Sequence, residues 1–154
     1  MNLLDHFVLQ HVQTSELSAE LVNVSKEPGT REARVELNLT PRPTQADAGA
    51  ALPAYQVSAR LSCHGGGEGQ AGPSFKARVG FEAIYQQVSG EPIDIAQFTA
   101  NHASLTRQLY PLLQHELRGL LVKLGLEQIH LPFDLTARVT GRAGHTVRVS
   151  GAVH

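Results

Sequence analysis

Apolar and polar residues alternate along three stretches of the chain, and in each stretch most apolar residues occupy the odd positions. The stretches are Arg34–Thr40, Ala54–Cys63 and Ser74–Val88. A period of two is typical of β-strands that bury one face and expose the other. The pattern therefore predicts a half-buried antiparallel sheet with one apolar face.

The N-terminal part of the chain continues this sheet. His6–Val12 predicts a first strand, and Leu17–Val24 predicts either its continuation or its partner, with a turn or a bulge at Thr14-Ser15-Glu16. The alternation fails at Phe7-Val8-Leu9, where three apolar residues follow one another. Such a run is typical of a strand that is covered on both faces, as at a subunit junction.

The second half of the chain predicts a long amphipathic helix. Leucines recur at steps of three and four from Leu105 to Leu124, and Gly125 is the predicted stop. Because Pro111 lies inside this stripe, we expect the helix either to kink there or to restart with Pro111 in its first turn. The fold class is therefore α+β, a four-stranded antiparallel sheet followed by one long helix. The width of the stripe predicts contact between helices of different subunits.

Two glycine-rich segments match the sequence patterns of known sites but lack the structural context that those sites need. Gly67–Gly72 fits the dinucleotide fingerprint, but that site needs a helix N-terminus after the glycines, and here Pro73 and another strand follow. His64–Gly67 resembles the oxyanion segment of esterases, yet the chain has no Gly-x-Ser-x-Gly nucleophile motif. Both segments are predicted to be parts of a flexible hairpin loop, and Pro41–Pro53 is predicted to be a second mobile loop.

The other residues with reactive or metal-binding side chains are also predicted to have structural roles. The eight histidines include no His-x-x-x-His pair, so no metal site is predicted. Cys63 precedes His64, and neighbours in a strand point to opposite faces, so we expect a buried core cysteine and no thiolate pair. The sequence predicts no catalytic residue, no enzyme activity and no cofactor.

Composition and net charge limit the classes of partner that the protein is expected to bind. The 154 residues suit one domain, and 13 basic against 14 acidic residues give a formal net charge of −1. Such a charge creates no field that attracts nucleic acid or an anionic membrane. No run of about 18 apolar residues is present and the N-terminus has no basic leader, so we expect a cytoplasmic protein without membrane insertion.

Four segments in a fixed order resemble the SecB family of export chaperones. They cover roughly residues 6–133 and are Val35-Glu36-Leu37-Asn38-Leu39, Val79-Gly80-Phe81-Glu82-Ala83-Ile84-Tyr85, Leu109-Tyr110-Pro111-Leu112-Leu113 and His130-Leu131-Pro132. The resemblance implies an ATP-independent holdase that binds unfolded polypeptides for export or handover. It also implies a homotetramer, built as a dimer of dimers, or a dimer, with SecA or an antitoxin as candidate partners.

The resemblance also assigns roles to particular side chains. On the residues alone, the apolar strand face is core, since every sheet must bury one face. The family adds a client-binding groove beside the same strand, so a shared role is expected. The implied peptide-binding residues are Val35, Leu37, Leu39, Val57, Leu61, Phe75, Val79, Phe81 and Tyr85. The implied oligomer contacts are Phe7, Val8, Leu9, Leu109, Leu113, Leu117 and Leu120.

The C-terminal extension, residues 134–154, departs from the family. SecB proteins are acidic and end in an acidic tail that meets SecA, whereas this extension contains Arg138, Arg142 and Arg148 and no acidic residue after Asp134. Val147 and Val149 alternate, so we expect the extension to be strand-like or flexible, beside a chaperone domain at 1–133. Two alternatives to an export role stay open: a chaperone dedicated to a toxin–antitoxin system, and a non-chaperone oligomerisation or adaptor domain.

Overall fold

The computed structural model describes residues 1–23, 33–44, 52–65, 74–127, 129–132 and 147–153. These residues form an antiparallel sheet and a long helix, which confirms the predicted α+β class. The chain begins with a short 3-10 turn at Leu3–Asp5. The elements that follow are β1 (Phe7–Asn23), β2 (Ala33–Pro43), β3 (Ala54–Gly65), β4 (Ser74–Gln87), α1 (Ile95–Ala100), α2 (His102–Lys123) and β5 (Val147–Val153).

The sheet places the strands in the order β1-β4-β3-β2-β5, with every neighbouring pair antiparallel. Leu37 lies opposite Leu61, and Leu61 lies opposite Val79. Since residues opposite each other share a face of the sheet, the odd-numbered apolar residues of β2, β3 and β4 form one apolar face. The fifth strand, β5, adds to the four-stranded sheet that the sequence predicts.

Strand β1 is a single strand of 17 residues. Its register against β4 shifts between Thr14 and Glu16, so Ser15 is an extra residue on the β1 side. A bulge of this kind bends the strand without ending it. Of the two predicted alternatives, the continuation with a bulge is confirmed, and the separate partner strand is wrong.

Helix α2 covers the apolar face over β3 and β4. Five residues of the helix that follow one another at steps of four are at most 1% exposed and belong to the core: Leu105, Leu109, Leu113, Leu117 and Leu121. The helix runs through Pro111 as one element, so the predicted restart at that residue is wrong.

Gly125 ends α2, as predicted. It has a φ of 75°, a backbone conformation that side-chain-bearing residues rarely adopt. The amide of Gly125 donates to the carbonyl of Val122 at 3.0 Å, and the amide of Leu126 donates to that of Leu121 at 2.9 Å. This pair of bonds satisfies carbonyls that the last helical turn leaves free.

An aromatic cluster closes one end of the core and positions α1, which the sequence pattern did not predict. The rings of Phe7, Tyr55 and Tyr85 pack around Phe98 of α1, with centroid distances to Phe98 of 4.7–6.0 Å. The Tyr55 hydroxyl donates to the Ile93 carbonyl at 2.5 Å. The connection between β4 and α1 is thereby held against the sheet.

Several predicted segments lie outside the described residues. They include most of the two loops predicted at Pro41–Pro53 and His64–Pro73, and residues 134–146 of the C-terminal extension. The boundary between a domain at 1–133 and an extension at 134–154 stays a prediction.

Truncation of a side chain on the face of α2 that packs on the sheet should lower the free energy of unfolding. Leu117→Ala removes a fully buried side chain and should lower the free energy of unfolding by about 2–5 kcal/mol. Glu116→Ala, at an exposed position of the same helix, should change it by less than about 0.5 kcal/mol. Urea denaturation followed by circular dichroism measures both, and equal losses would contradict this orientation of the helix.

Candidate polypeptide-binding surface

The nine side chains predicted to bind peptide all lie in the core of the single chain. Each is at most 5% exposed. They occupy β2, β3 and β4 on the face that α2 covers, and their burial follows from the same alternation that predicted them. Direct contact with a client therefore needs a rearrangement that uncovers part of this face, and it stays a prediction.

The residues predicted at the oligomer contact are divided between core and surface. Leu109, Leu113 and Leu117 are fully buried against the chain's own sheet, and Phe7 is also buried. Leu9 and Leu120 are half-buried. Val8 is 48% exposed, so the predicted cover on both faces of the strand is not present at this residue.

An apolar strip remains open on β1. We define the β1 strip as Leu17, Leu21 and Val22, which are 54%, 36% and 55% exposed. Leu17 lies opposite Val79 and Leu21 lies opposite Phe75. Both β4 residues are buried, so the apolar face of the sheet extends past the area that the helix covers. The alternation of Leu17, Ala19 and Leu21 in the sequence is a pattern from which this apolar strip could have been predicted.

Helix α2 also exposes apolar side chains on the side away from the sheet. Leu112 is 44% exposed and Val122 is 47% exposed. Gly119 lies between them in sequence, and a Cβ atom built at that position would meet no other heavy atom within 4 Å. We name Leu112, Gly119 and Val122 the outer stripe of α2. The stripe is open to a neighbouring molecule.

The two edges of the sheet differ. Among the described strands, β1 forms one edge and pairs only with β4. The other side of the sheet would end at β2, but β5 pairs with β2 from Ala33 to Leu39. Within the described sheet, β1 and β5 are therefore the two edge strands, and β1 is the longer of the two.

A cleft of about 200 Å³ opens beside the start of β1. Its lining includes Met1, His6, Pro92 and Ile93, and the His6 ring nitrogen Nδ1 lies 3.2 Å from the Ser89 hydroxyl. The Ser89 hydroxyl also donates to the backbone carbonyl of Asp5 at 3.3 Å. The polar pair therefore fastens the β4–α1 connection to the N-terminal turn.

The opposite face of the sheet is polar. The Glu82 carboxylate accepts hydrogen bonds from the Ser58 hydroxyl at 2.7 Å and from the Gln56 amide at 2.9 Å, and Arg42 lies 3.4 Å away. A carboxylate satisfied in this way holds three strands together at the surface. Val8 lies on this face, since it is opposite Gln86.

Cys63 is buried, and no other cysteine is present. Burial raises the pKa of its thiol to about 12. The thiol is therefore neutral at physiological pH, and a neutral buried thiol is a poor nucleophile and a poor metal ligand. Across the described ranges, no three His, Cys, Asp or Glu side chains lie close enough to hold a metal ion.

No helix in the described part of the chain has the length and apolar character needed to cross a membrane. No family model matches the sequence. No curated protein matches it either.

The fold is similar to that of a solved structure of a SecB-like chaperone. That structure is Mycobacterium tuberculosis Rv1957 in complex with a ChAD peptide from the Rv1956 HigA1 antitoxin. The TM-score is 0.58 at 18% sequence identity, over 86% of this chain and 93% of that chain. The chain therefore has the SecB-like fold that its four sequence segments predicted.

The raised pKa of Cys63 predicts a loss of stability in base. The unfolded thiol releases its proton near its ordinary pKa of 9.0, whereas the folded thiol holds it to about 12. The stability that Cys63 contributes is therefore complete below pH 9 and falls as the pH rises toward 12. Tyr85, whose pKa burial also raises, adds a similar loss above pH 10.

Urea denaturation at pH 8 and pH 10 measures this effect. The free energy of unfolding should fall less between these pH values in Cys63→Ala than in the native chain. Ser62→Ala, at the half-buried neighbouring position, is the matched control and should keep the native pH dependence. Equal pH dependence in the native chain and Cys63→Ala would contradict the burial of a neutral thiol.

Proposed function

We propose that the protein is an ATP-independent holdase that binds unfolded polypeptides in the cytoplasm. The observation that carries this proposal is the fold, which it shares with a SecB-like chaperone whose structure contains a bound peptide. The single chain also leaves apolar side chains open on β1 and α2, and these we assign below to contacts between copies of the chain. Exposed apolar surface of this kind is typical of proteins that bind other polypeptides.

Binding of this kind needs no bond chemistry. Each apolar client side chain that leaves water contributes about 1.5–3 kcal/mol, and several contacts along one client add through effective concentration. The near-zero net charge leaves apolar surface and backbone hydrogen bonds as the main sources of affinity. Low sequence specificity follows from such contacts.

We assign the open apolar surfaces to assembly into a dimer or tetramer. The β1 strip lies on an edge strand, where a second copy finds both apolar side chains and unpaired backbone groups. The predicted helix contact moves from Leu109, Leu113 and Leu117, which the chain's own sheet covers, to the outer stripe of α2. Val8 is assigned to the β1 contact as predicted.

The assembly proposal predicts that polar changes in the β1 strip separate the subunits. The double variant Leu17→Ser/Leu21→Ser should keep its circular dichroism spectrum, because both side chains are exposed, and should show a smaller mass by light scattering. Ser18→Ala, on the opposite face of the same strand, is the control and should keep the native mass. A native chain that is monomeric at micromolar concentration would contradict the proposal.

A chaperone dedicated to an antitoxin is the second candidate. It is favoured because the peptide in the similar structure comes from an antitoxin. The net charge of −1 also differs from the acidic character by which SecB proteins meet SecA. We therefore propose an antitoxin ahead of SecA as the specific partner, with general holdase activity common to both.

The holdase activity is tested by the aggregation of reduced insulin, measured as light scattering without ATP. One equivalent of assembled subunits should suppress most of the scattering, and added ATP should change nothing. Serum albumin at the same mass concentration is the control for non-specific protection. Scattering equal to that of the control would favour the remaining alternative, a non-chaperone oligomerisation or adaptor domain.

A further inference from the structure

Strand β5 pairs with seven of the eleven residues of β2. Each residue from Ala33 to Leu39 lies opposite one residue of Val147–Val153. The backbone groups that β2 offers to an added strand are therefore already paired within the chain. Polypeptides commonly bind in extended form by adding a strand to such an edge.

The sequence of β2 fixes where this edge ends. Pairing with β5 stops at Leu39, and Pro41 and Pro43 follow. Proline has no backbone N–H and cannot donate to an added strand. Residues 40–43 of β2 therefore offer an added strand fewer backbone donors per residue than the seven residues that β5 covers.

Three of the predicted peptide-binding residues lie on this edge strand. Leu39 is opposite Val147, Leu37 is opposite Val149, and Val35 is opposite Gly151. They are the members of the predicted set that lie next to β5, whereas the others lie on β3 and β4 in the interior of the sheet. Removal of β5 would make the strand that carries Val35, Leu37 and Leu39 the edge of the sheet.

The pairing of β5 is weaker than that of the other strands for reasons visible in its length and sequence. It has seven residues, pairs with β2 alone among the described strands, and has Gly151 in its interior. Glycine weakens a strand, and edge strands open at a lower cost than central ones. Positions 133–146 tether β5 to the preceding segment, so it returns to the edge at high effective concentration.

We propose that β5 is an intramolecular competitor that an extended client segment displaces from the β2 edge. This inference rests on the proposed holdase function and adds the client's entry point and its regulation. The client that fits is an extended segment with small apolar residues at alternating positions, as in Val147, Val149 and Val153. A segment that makes a single weak contact does not displace β5, whereas a long unfolded chain with several contacts does.

A reversible cross-link tests the displacement directly. Arg34 lies opposite Ala152, and directly opposed residues of antiparallel strands lie within disulfide distance. The variant Arg34→Cys/Ala152→Cys in a Cys63→Ala background should bind reduced, carboxymethylated α-lactalbumin about tenfold more weakly when oxidised than when reduced. Cys63→Ala alone is the matched control and should bind equally in both conditions. Fluorescence anisotropy of the labelled α-lactalbumin measures the affinities.

Two further measurements extend the test. A chain that ends at Thr146 should bind the same probe about tenfold more tightly than the full chain. A synthetic peptide that copies residues 147–153 should bind the shortened chain, and the same peptide with Val149→Pro should not, because proline removes a backbone donor. If the shortened chain loses its circular dichroism spectrum, displacement of β5 is tested by the cross-linked variant alone, because that variant keeps every strand.

The outcomes separate this inference from the proposed function. If the native chain binds the probe and the cross-linked variant binds equally when oxidised and reduced, displacement of β5 is wrong and the holdase function stands. If the native, reduced and shortened chains all fail to bind the probe, both proposals are wrong. Weaker binding by the oxidised form alone supports both.

Discussion

The sheet is wider than the helix that packs on it, and the rest of the structure depends on this mismatch. Five strands at about 4.8 Å spacing span roughly 19 Å between the outermost strand axes, whereas one helix is about 10 Å across. Helix α2 therefore covers β3 and β4, where the core is most complete. The strands on either side need cover from another source.

The two sides meet this need differently. On the β1 side, Leu17 and Leu21 carry the apolar face beyond the helix and stay open, which suits a contact with a second copy. On the β2 side, Val35, Leu37 and Leu39 are buried, α1 contacts the strand, and β5 pairs with its backbone. We propose that the β1 side forms the contact between subunits. The β2 edge binds the client, and β5 occupies that edge when no client is bound.

The sequence was sufficient for those features that local patterns specify. Alternation located β2, β3 and β4, the Thr14-Ser15-Glu16 interruption located a bulge, and Gly125 located the end of α2, because each depends on neighbours within a few residues. The face of α2 that meets the sheet was misassigned in part. A leucine stripe shows that a helix is amphipathic. The sequence pattern of Leu109, Leu113 and Leu117 is the same whether these residues contact their own sheet or another subunit.

The pairing of β5 with β2 was beyond sequence patterns because it joins residues more than 100 positions apart. Val147 and Val149 indicated a strand, but nothing local specifies Leu39 and Leu37 as their partners. The burial of the nine predicted peptide-binding residues has the same origin. A period of two identifies an apolar face and leaves open which element covers it.

Amide hydrogen exchange tests the central claim, that a client enters at the β2 edge in place of β5, most directly. The native chain would be compared alone and with excess reduced, carboxymethylated α-lactalbumin, with peptides covering β2 and β5 followed by mass spectrometry. Our account predicts faster exchange across Val147–Val153 on binding, with protection retained in Ala33–Leu39 because the client replaces β5 as its partner. Unchanged protection of β5 in a chain that has bound the client would contradict it.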